Sequence, residues 1–200
     1  MKCIVIGDSG VGKTSLVNRA INNTFSNRYK ATIGADFLHK SFTSTNKDGL
    51  EEEVMFQLWD TAGRERFQGL GVAFYRGSDA CLVCFDVTNK SSFEHVPNWV
   101  EEITVQTGGP LAISIVGTKV DLEGRAVSEA RGRALAKELG CEYFEVSAKE
   151  DLHVQPLLQQ TLRTFVNQPQ PDDPIPVDLL LDEQPSTLTK IYNWLLSFVY

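Results

Sequence analysis

Short apolar runs alternate along the chain with longer segments in which apolar residues recur every three or four positions. The runs predict β-strands near 2–6, 36–44, 52–59, 80–86, 111–117 and 142–146. The periodic segments predict α-helices near 13–23, 67–76, 91–107, 128–139 and 152–167. Because this alternation is typical of βαβ units, we expect an α/β fold of three layers, with a six-stranded, mainly parallel sheet and helices on both faces.

One connection departs from that pattern. Asn46-Lys47-Asp48-Gly49 separates the second and third strands and is typical of a tight hairpin turn, so these two strands should pair antiparallel.

Polar residues also mark where helices begin. Ser91 or Ser92 is expected to open the third helix, and Ser128 the fourth.

Composition divides the 200 residues into a compact body and a tail. The body, residues 1–167, has the length of one domain, whereas residues 168–200 hold five of the eight prolines and five acidic residues against one basic residue. We therefore expect an extended, acidic tail. The net charge of −7 argues against nucleic acid as a partner, because phosphate contacts need a basic face.

The four cysteines do not suggest a disulfide framework, and no apolar leader segment precedes the first strand, so a reduced, cytoplasmic protein is expected. Cys81 and Cys84 form a C-x-x-C pair, a spacing that also occurs in redox and zinc sites. Both lie in the apolar run 80–87, where residues three apart on a strand point to opposite faces. We therefore expect buried strand thiols.

The strongest chemical signal is Gly7-Asp8-Ser9-Gly10-Val11-Gly12-Lys13-Thr14, which fits G-x-x-x-x-G-K-[ST] between a predicted strand and a predicted helix. Its glycines let successive backbone N–H groups surround phosphate oxygens, and the helix N-terminus adds its positive end. Lys13 reaches the terminal phosphates, and the Thr14 hydroxyl can ligate Mg²⁺. A simple Gly-rich turn would need neither side chain.

Three later motifs follow predicted strands and narrow the ligand. Asp60 in Asp60-Thr61-Ala62-Gly63 can hold the hydration shell of Mg²⁺, and the Gly63 N–H can meet a γ-phosphate. Asp121 in Thr118-Lys119-Val120-Asp121 can accept two parallel N–H donors, which guanine offers and adenine lacks. With Ser147-Ala148-Lys149, these motifs favour a guanine nucleotide over the alternative of an adenine nucleotide kinase.

With its motifs in this order, the segment 1–167 resembles the small GTPases of the Ras superfamily. Ile33–Phe37, Arg66-Phe67 and Phe74–Gly77 resemble the Rab branch, and the stretches 29–37 and 69–77 are most similar to its late-endosomal and vacuolar subgroup. The resemblance implies a P-loop GTPase fold, GTP, GDP and Mg²⁺ as cofactors, and a switch in vesicle or membrane traffic. It also implies effectors, an exchange factor and a GTPase-activating protein as partners.

The resemblance assigns roles to individual residues. Thr14, Thr32 and Asp60 would hold Mg²⁺. Phe25 would stack on guanine, and the Ala148 N–H would meet its O6 atom. The catalytic set at the γ-phosphate would be Lys13, Thr32, Gly63 and Arg64. The nucleotide would contact Asp8, Ser9, Gly10, Val11, Gly12, Lys13, Thr14, Ser15, Phe25, Thr32, Gly63, Thr118, Lys119, Asp121, Ser147, Ala148 and Lys149.

The switch segments implied by the resemblance are 25–35 and 61–75, ordered by the γ-phosphate and released without it. Phe37, Trp59 and Phe74 would form the exposed aromatic triad that effectors read. From the residues alone, three core aromatics of adjacent strands and a helix are the alternative.

Two motif positions depart from the family. Arg64 stands where the family has the glutamine that orients the attacking water, and a guanidinium has five donors and no acceptor. Slow intrinsic hydrolysis is therefore expected, and the alternative is a GTP-holding module that recruits effectors with little turnover. Thr118 replaces the usual asparagine, as in the Rho branch, so guanine binding should survive.

The ends of the sequence also differ from the usual Rab pattern. The first strand begins at residue 2, and no cysteine for prenylation follows Cys141. Either this chain differs from the usual Rab form, or membrane attachment is achieved without a prenyl group. The tail carries one apolar helical face, and its apolar run of about 10 residues is too short to span a bilayer. We expect this face to dock on protein, with a membrane surface or simple disorder as the alternatives. This face comprises Leu188, Ile191, Tyr192, Leu195, Leu196 and Val199.

Overall fold

The computed structural model describes residues 1–45, 49, 51–63, 74–107 and 111–166, without the side chains of Ser44, Thr45 and Glu52. Six strands among these residues form one sheet in the order β2-β3-β1-β4-β5-β6. They are β1 (Lys2–Gly7), β2 (Ala35–Thr45), β3 (Glu51–Thr61), β4 (Ala80–Asp86), β5 (Ala112–Thr118) and β6 (Glu142–Glu145). Each predicted strand is confirmed to within two residues.

The pairing of the strands is parallel except at one edge. β1 pairs in parallel with β3 and β4, and the parallel ladder continues through β5 to β6. β2 pairs antiparallel with β3 along its whole length, from Ala35 opposite Thr61 to Thr45 opposite Glu51. This confirms the predicted antiparallel pair. Of its predicted turn 46–49, only Gly49 lies among the described residues.

The described helices are α1 (Lys13–Asn22), α2 (Lys90–Glu94), α3 (Val96–Thr107), α4 (Glu129–Glu138) and α5 (Val154–Val166). Four of the five predicted helical segments are thereby found, although one of them is divided. Of the predicted helix 67–76, only residues 74–76 lie among the described ones, and 74 and 75 are helical. The predicted tail 168–200 and its apolar face lie outside the described residues.

The prediction of one continuous helix over 91–107 was wrong. The segment is divided into α2 and α3 at His95, two residues before Pro97. Proline lacks the N–H that would continue the hydrogen-bond ladder, and its ring crowds the carbonyl four residues earlier. Asn89, not Ser91 or Ser92, caps α2 by accepting a hydrogen bond from the Ser92 N–H.

Helices cover both faces of the sheet, which gives the three predicted layers. α1 and α5 pack on one face through side chains such as Leu16 and Leu157, and α2, α3 and α4 pack on the other. Cys81 and Cys84 are both fully buried but belong to different cores, so the expectation of strand thiols on opposite faces is confirmed. Among the described residues, no helix is both long and apolar enough to cross a membrane.

The fold predicts a large cost for shortening a side chain on α5. Leu157 is fully buried against α1 and the sheet, so Leu157→Ala should lower the free energy of unfolding by about 2–5 kcal/mol. Denaturant unfolding measures this difference. Leu152→Ala, at a side chain that is 43% exposed, is the matched control and should change the free energy by less than about 0.5 kcal/mol.

Candidate nucleotide-binding and catalytic site

The loop after β1, the ends of β3 and β5 and the start of α1 border one cleft of about 710 Å³. Strand order reverses around β1, and in open α/β sheets such a switch point is where ligands bind. Most of the predicted site residues line this cleft: Ser9, Gly10, Gly12, Lys13, Thr14, Ser15, Phe25, Thr32, Gly63, Thr118, Lys119, Asp121, Ala148 and Lys149.

The loop between β1 and α1 has the geometry of an anion site. Gly12 precedes α1 with a φ of 104°, a left-handed conformation that favours glycine, and no side chain among the described residues caps the helix. The first N–H groups of α1 are thus left for a ligand. The Lys13 ammonium donates to the carbonyls of Gly7 and Asp8, both at 2.7 Å, and holds the loop closed.

Three oxygen-bearing side chains meet beside this loop. The Thr14 hydroxyl donates to Asp60 Oδ2 at 2.5 Å and lies 3.0 Å from the Thr32 hydroxyl, which is itself 3.4 Å from Asp60 Oδ2. Burial raises the pKa of Asp60, and the hydrogen bond from Thr14 and the charge of Lys13 oppose that rise.

These three residues fit Mg²⁺. Hydroxyl and carboxylate oxygens are ligands of the hard type that Mg²⁺ prefers, with water completing its coordination. Asp60 Oδ1 is buried and has no hydrogen-bond partner within the described part of the chain, so a polar ligand is needed there. The predicted metal residues Thr14, Thr32 and Asp60 are thus brought together by three separate elements.

Gly63 lies directly against the phosphate loop. A Cβ atom built on Gly63 would come within 2.5 Å of the Ser9 N and Cα atoms, so no side chain fits at this position. The segment after β3 therefore approaches the loop backbone to backbone. Arg64, the next predicted catalytic residue, lies outside the described residues.

The base side of the cleft is organised around Asp121. Its Oδ1 atom accepts a hydrogen bond from the Ser147 hydroxyl at 2.6 Å, and its Oδ2 atom lies 3.9 Å from the Lys149 ammonium. Ser147 does not line the cleft but orients the carboxylate that does. Asp121 is thereby held with one oxygen engaged and its side chain facing the cleft.

Thr118 and Lys119 hold the phosphate loop from the side of β5. The Thr118 hydroxyl lies 2.5 Å from the Val11 carbonyl and 2.8 Å from the Phe85 carbonyl, and its single proton can serve only one of them at a time. The Lys119 ammonium donates to the Gly10 carbonyl at 2.7 Å. Val11 itself is buried and contributes its backbone rather than its side chain to the site.

Asp8 takes part through its backbone, because its side chain is directed away from the cleft. Its carboxylate accepts hydrogen bonds from Trp99 Nε1 at 2.9 Å and from His95 Nδ1 at 2.6 Å. An ionised carboxylate can only accept, so Nδ1 of His95 carries the proton. The prediction that Asp8 contacts nucleotide is therefore restricted to its main chain.

Sequence reasoning missed several residues that support the site. Arg19 donates from Nε to the Ala148 carbonyl at 2.7 Å, and the hydroxyl of Tyr29 lies 3.0 Å from that of Ser9. Asp86 pairs with Lys119 at 2.7 Å. Of these residues, only Asp86 could have been predicted from the sequence, because it lies at the end of an apolar strand, much as Asp60 does.

The three predicted effector residues form one aromatic cluster. The rings of Phe37 and Trp59 stack with centroids 5.3 Å apart, and those of Trp59 and Phe74 lie 6.0 Å apart. Phe37 is 53% exposed, so the cluster reaches the surface and is not a set of fully buried core aromatics. The Lys2 ammonium packs against this cluster. It lies 4.7 Å from the Trp59 ring centre and donates a hydrogen bond to the Phe74 carbonyl.

Comparison with known proteins identifies the class. Residues 2–167 match the sequence model described as Ras family, so the chain belongs to the Ras family of small GTPases. The predicted P-loop GTPase fold, and GTP, GDP and Mg²⁺ as cofactors, are confirmed by this membership.

Relatives narrow the class to the Rab branch. Ras-related protein Rab-7a of Dictyostelium discoideum is 45% identical over 172 residues, covering 83% of this chain and 82% of the relative. Ypt/Rab-type GTPase YPT7 of Saccharomyces cerevisiae is 46% identical over 179 residues, covering 86% and 84%. Ras-related protein Rab7 of Pisum sativum is 47% identical over 169 residues, covering 80% and 79%. The predicted similarity to the late-endosomal and vacuolar subgroup of Rab proteins is confirmed.

The close approach of Gly63 to Ser9 makes a prediction about catalysis. Gly63→Ala would force the segment after β3 away from the phosphate loop, because the new methyl group would collide with backbone atoms. Displacing a reacting geometry by about 1 Å costs on the order of a hundredfold in rate, so single-turnover GTP hydrolysis should fall by at least about tenfold. An unchanged rate in a folded, GTP-loaded variant would contradict this reading.

Proposed function

We propose that this protein is a Rab-like molecular switch in vesicle traffic, with slow intrinsic hydrolysis of GTP and a place on endosomal or vacuolar membranes. The observation that carries the proposal is the convergence of Thr14, Thr32 and Asp60 beside a closed phosphate loop, with Asp121 in the same cleft. The compartment is inferred from the similarity to proteins named Rab7 and YPT7.

At the phosphate end, we assign charge neutralisation to Lys13 and to the N–H groups of the loop. Lys13 lies 2.7 Å from two loop carbonyls, and these contacts fix its ammonium beside the loop. Thr14, Thr32 and Asp60 would hold Mg²⁺, which supplies charge stabilisation to phosphoryl transfer. The Gly63 N–H and Thr32 would complete the contacts that depend on the γ-phosphate.

At the base end, we assign guanine selection to Asp121, with Ser147 orienting it. Lys119 would pack its stem along the base, Phe25 would stack on it, and the Ala148 N–H would meet O6. Arg19 supports this last contact because it holds the Ala148 carbonyl, which belongs to the next peptide group along the chain. An adenine nucleotide offers no matching pair of donors to Asp121.

We assign effector recognition to the cluster of Phe37, Trp59 and Phe74 together with the neighbouring switch segment. Ile33 and Tyr29 in that segment are 81% and 71% exposed. Thr32 lies between them and contacts both Thr14 and Asp60, so the exposed surface is tied to the metal residues. Binding of GTP would thereby change the surface that effectors contact.

Slow hydrolysis follows from the chemistry of Arg64. A side chain without an acceptor cannot orient the attacking water as glutamine does. The same residue favours a second candidate function, that of a module which holds GTP and recruits effectors with little turnover. The rate of a single turnover distinguishes the two.

Asp121→Ala tests the assignment of guanine. Loss of the carboxylate leaves the guanine donors unpaired, so GDP affinity should fall by about 2–4 kcal/mol. Isothermal titration of the nucleotide-free protein with GDP and with inosine diphosphate, which lacks the exocyclic amine, measures both affinity and selectivity. The preference for GDP over inosine diphosphate should disappear in the variant.

The exposed neighbour Glu123 provides the matched control. Glu123→Ala removes the same kind of charge two residues away and should leave the affinity and the preference unchanged. Equal competition of ATP with GTP for the unaltered protein would refute the guanine site altogether.

Arg64→Gln tests the assignment of slow hydrolysis. Positioning of the water is worth on the order of tenfold to a thousandfold, so the variant should hydrolyse bound GTP faster by a factor in that range. Single-turnover release of phosphate from the GTP-loaded protein measures the rate directly.

Arg66→Gln removes the same charge nearby and serves as the control for a general electrostatic effect. It should leave the rate close to that of the unaltered protein. If Arg64→Gln gives no gain over this control, the role assigned to position 64 is wrong.

A further inference from the structure

Asp86 is a charged residue outside the known motifs that reaches the nucleotide cleft through Lys119. It is the last residue of β4, and its side chain is 11% exposed. The register of the sheet places it opposite Thr118, the last residue of β5. The carboxylate therefore lies at the same edge of the sheet as the cleft, one strand away from Lys119.

The two oxygens of Asp86 have different partners. Oδ1 accepts hydrogen bonds from the Thr88 N–H at 2.8 Å and from the Thr88 hydroxyl at 2.7 Å, which closes the turn after β4. Oδ2 lies 2.7 Å from the Lys119 ammonium. One oxygen thus maintains a local turn, and the other holds a cation that belongs to the cleft.

The carboxylate of Asp86 is ionised at neutral pH. Burial disfavours the charged carboxylate, but the hydrogen bonds from Lys119 and Thr88 outweigh it and lower the pKa of Asp86. The ion pair orients the ammonium, because the Asp86 carboxylate is largely shielded from competing water and lies 2.7 Å from it.

Lys119 is held in an unusual conformation. Its φ of 62° lies in the left-handed region, which a residue with a Cβ adopts only when its surroundings impose it. Its ammonium is shared between Asp86 and the Gly10 carbonyl, both at 2.7 Å. The lysine stem is thereby stretched along the wall of the cleft, between the end of β4 and the phosphate loop.

We propose that Asp86 is a positioning residue for the guanine nucleotide, acting through Lys119. By fixing the ammonium, Asp86 keeps the stem of Lys119 straight along the cleft wall and also keeps the Gly10 carbonyl turned outward. Loss of its charge would free the lysine at both contacts and speed the release of nucleotide. This inference rests on the proposed role of Lys119 at the base.

Release of fluorescently labelled GDP from the full chain in saturating Mg²⁺ tests the proposal. Asp86→Asn keeps the size of the side chain and the acceptor for Thr88 but removes the charge that faces Lys119. The release rate should rise by on the order of tenfold, the usual lower range for loss of an orienting partner at a ligand site. Lys119→Met should raise the rate by at least as much.

Two further variants separate positioning from a structural role. Thr88→Val removes the hydroxyl contact to Oδ1 while leaving Oδ2 untouched, and its release rate should match that of the unaltered protein. In the double variant with Lys119→Met, Asp86→Asn should add nothing to the rate, because the group through which it acts is already gone.

The outcomes are distinct. If Lys119→Met leaves the release rate unchanged, the proposed role of Lys119 at the base is wrong. If Lys119→Met speeds release but Asp86→Asn does not, the positioning role of Asp86 alone is overturned. If Asp86→Asn still speeds release in full in the Lys119→Met background, or if Thr88→Val speeds release equally, Asp86 acts through the turn after β4. Either result also overturns the positioning role of Asp86.

Discussion

The hydrogen bonds that hold the carbonyl groups of the phosphate loop are the constraint on which the rest of the site depends. Carbonyls of Gly7 and Asp8 accept from Lys13, that of Gly10 from Lys119, and that of Val11 from Thr118. With these carbonyls engaged on one side of a tight loop, N–H groups between them are left for an anion on the other. The donors come from α1 and from the end of β5, so the sheet must be assembled before the loop has its shape.

This dependence explains why the cofactor residues are dispersed in sequence yet meet in space. Parallel strands bring their carboxyl ends to one edge, so Asp60 near the end of β3, Asp86 at the end of β4 and Asp121 shortly after β5 are neighbours of the same cleft. Each carboxylate is held by a hydroxyl or an ammonium of the chain itself. Preorganised groups of this kind lose little freedom on binding.

Much of this arrangement could be predicted from the sequence, for reasons that particular elements make clear. Buried parallel strands are nearly continuous apolar runs, and β4, in which all seven residues are buried, was predicted to the residue. The motif residues were found because each follows such a run. The division of 91–107 was missed because its apolar spacing continues through His95, and the break depends on a backbone donor that Pro97 lacks. Arg19 and Asp86 were missed because their partners are distant in sequence and only the folded sheet brings them together.

The orientation of Asp8 has an electrostatic consequence for the whole phosphate site. A loop that attracts a highly charged anion carries a carboxylate at its second position, which would repel that anion if it faced the cleft. Instead, the indole of Trp99 and the imidazole of His95, on the far face of the sheet, draw it away and surround it with N–H dipoles. These N–H dipoles partly offset the negative potential of Asp8 where it arises, so a phosphate at the loop meets Lys13 and the start of α1 rather than this carboxylate.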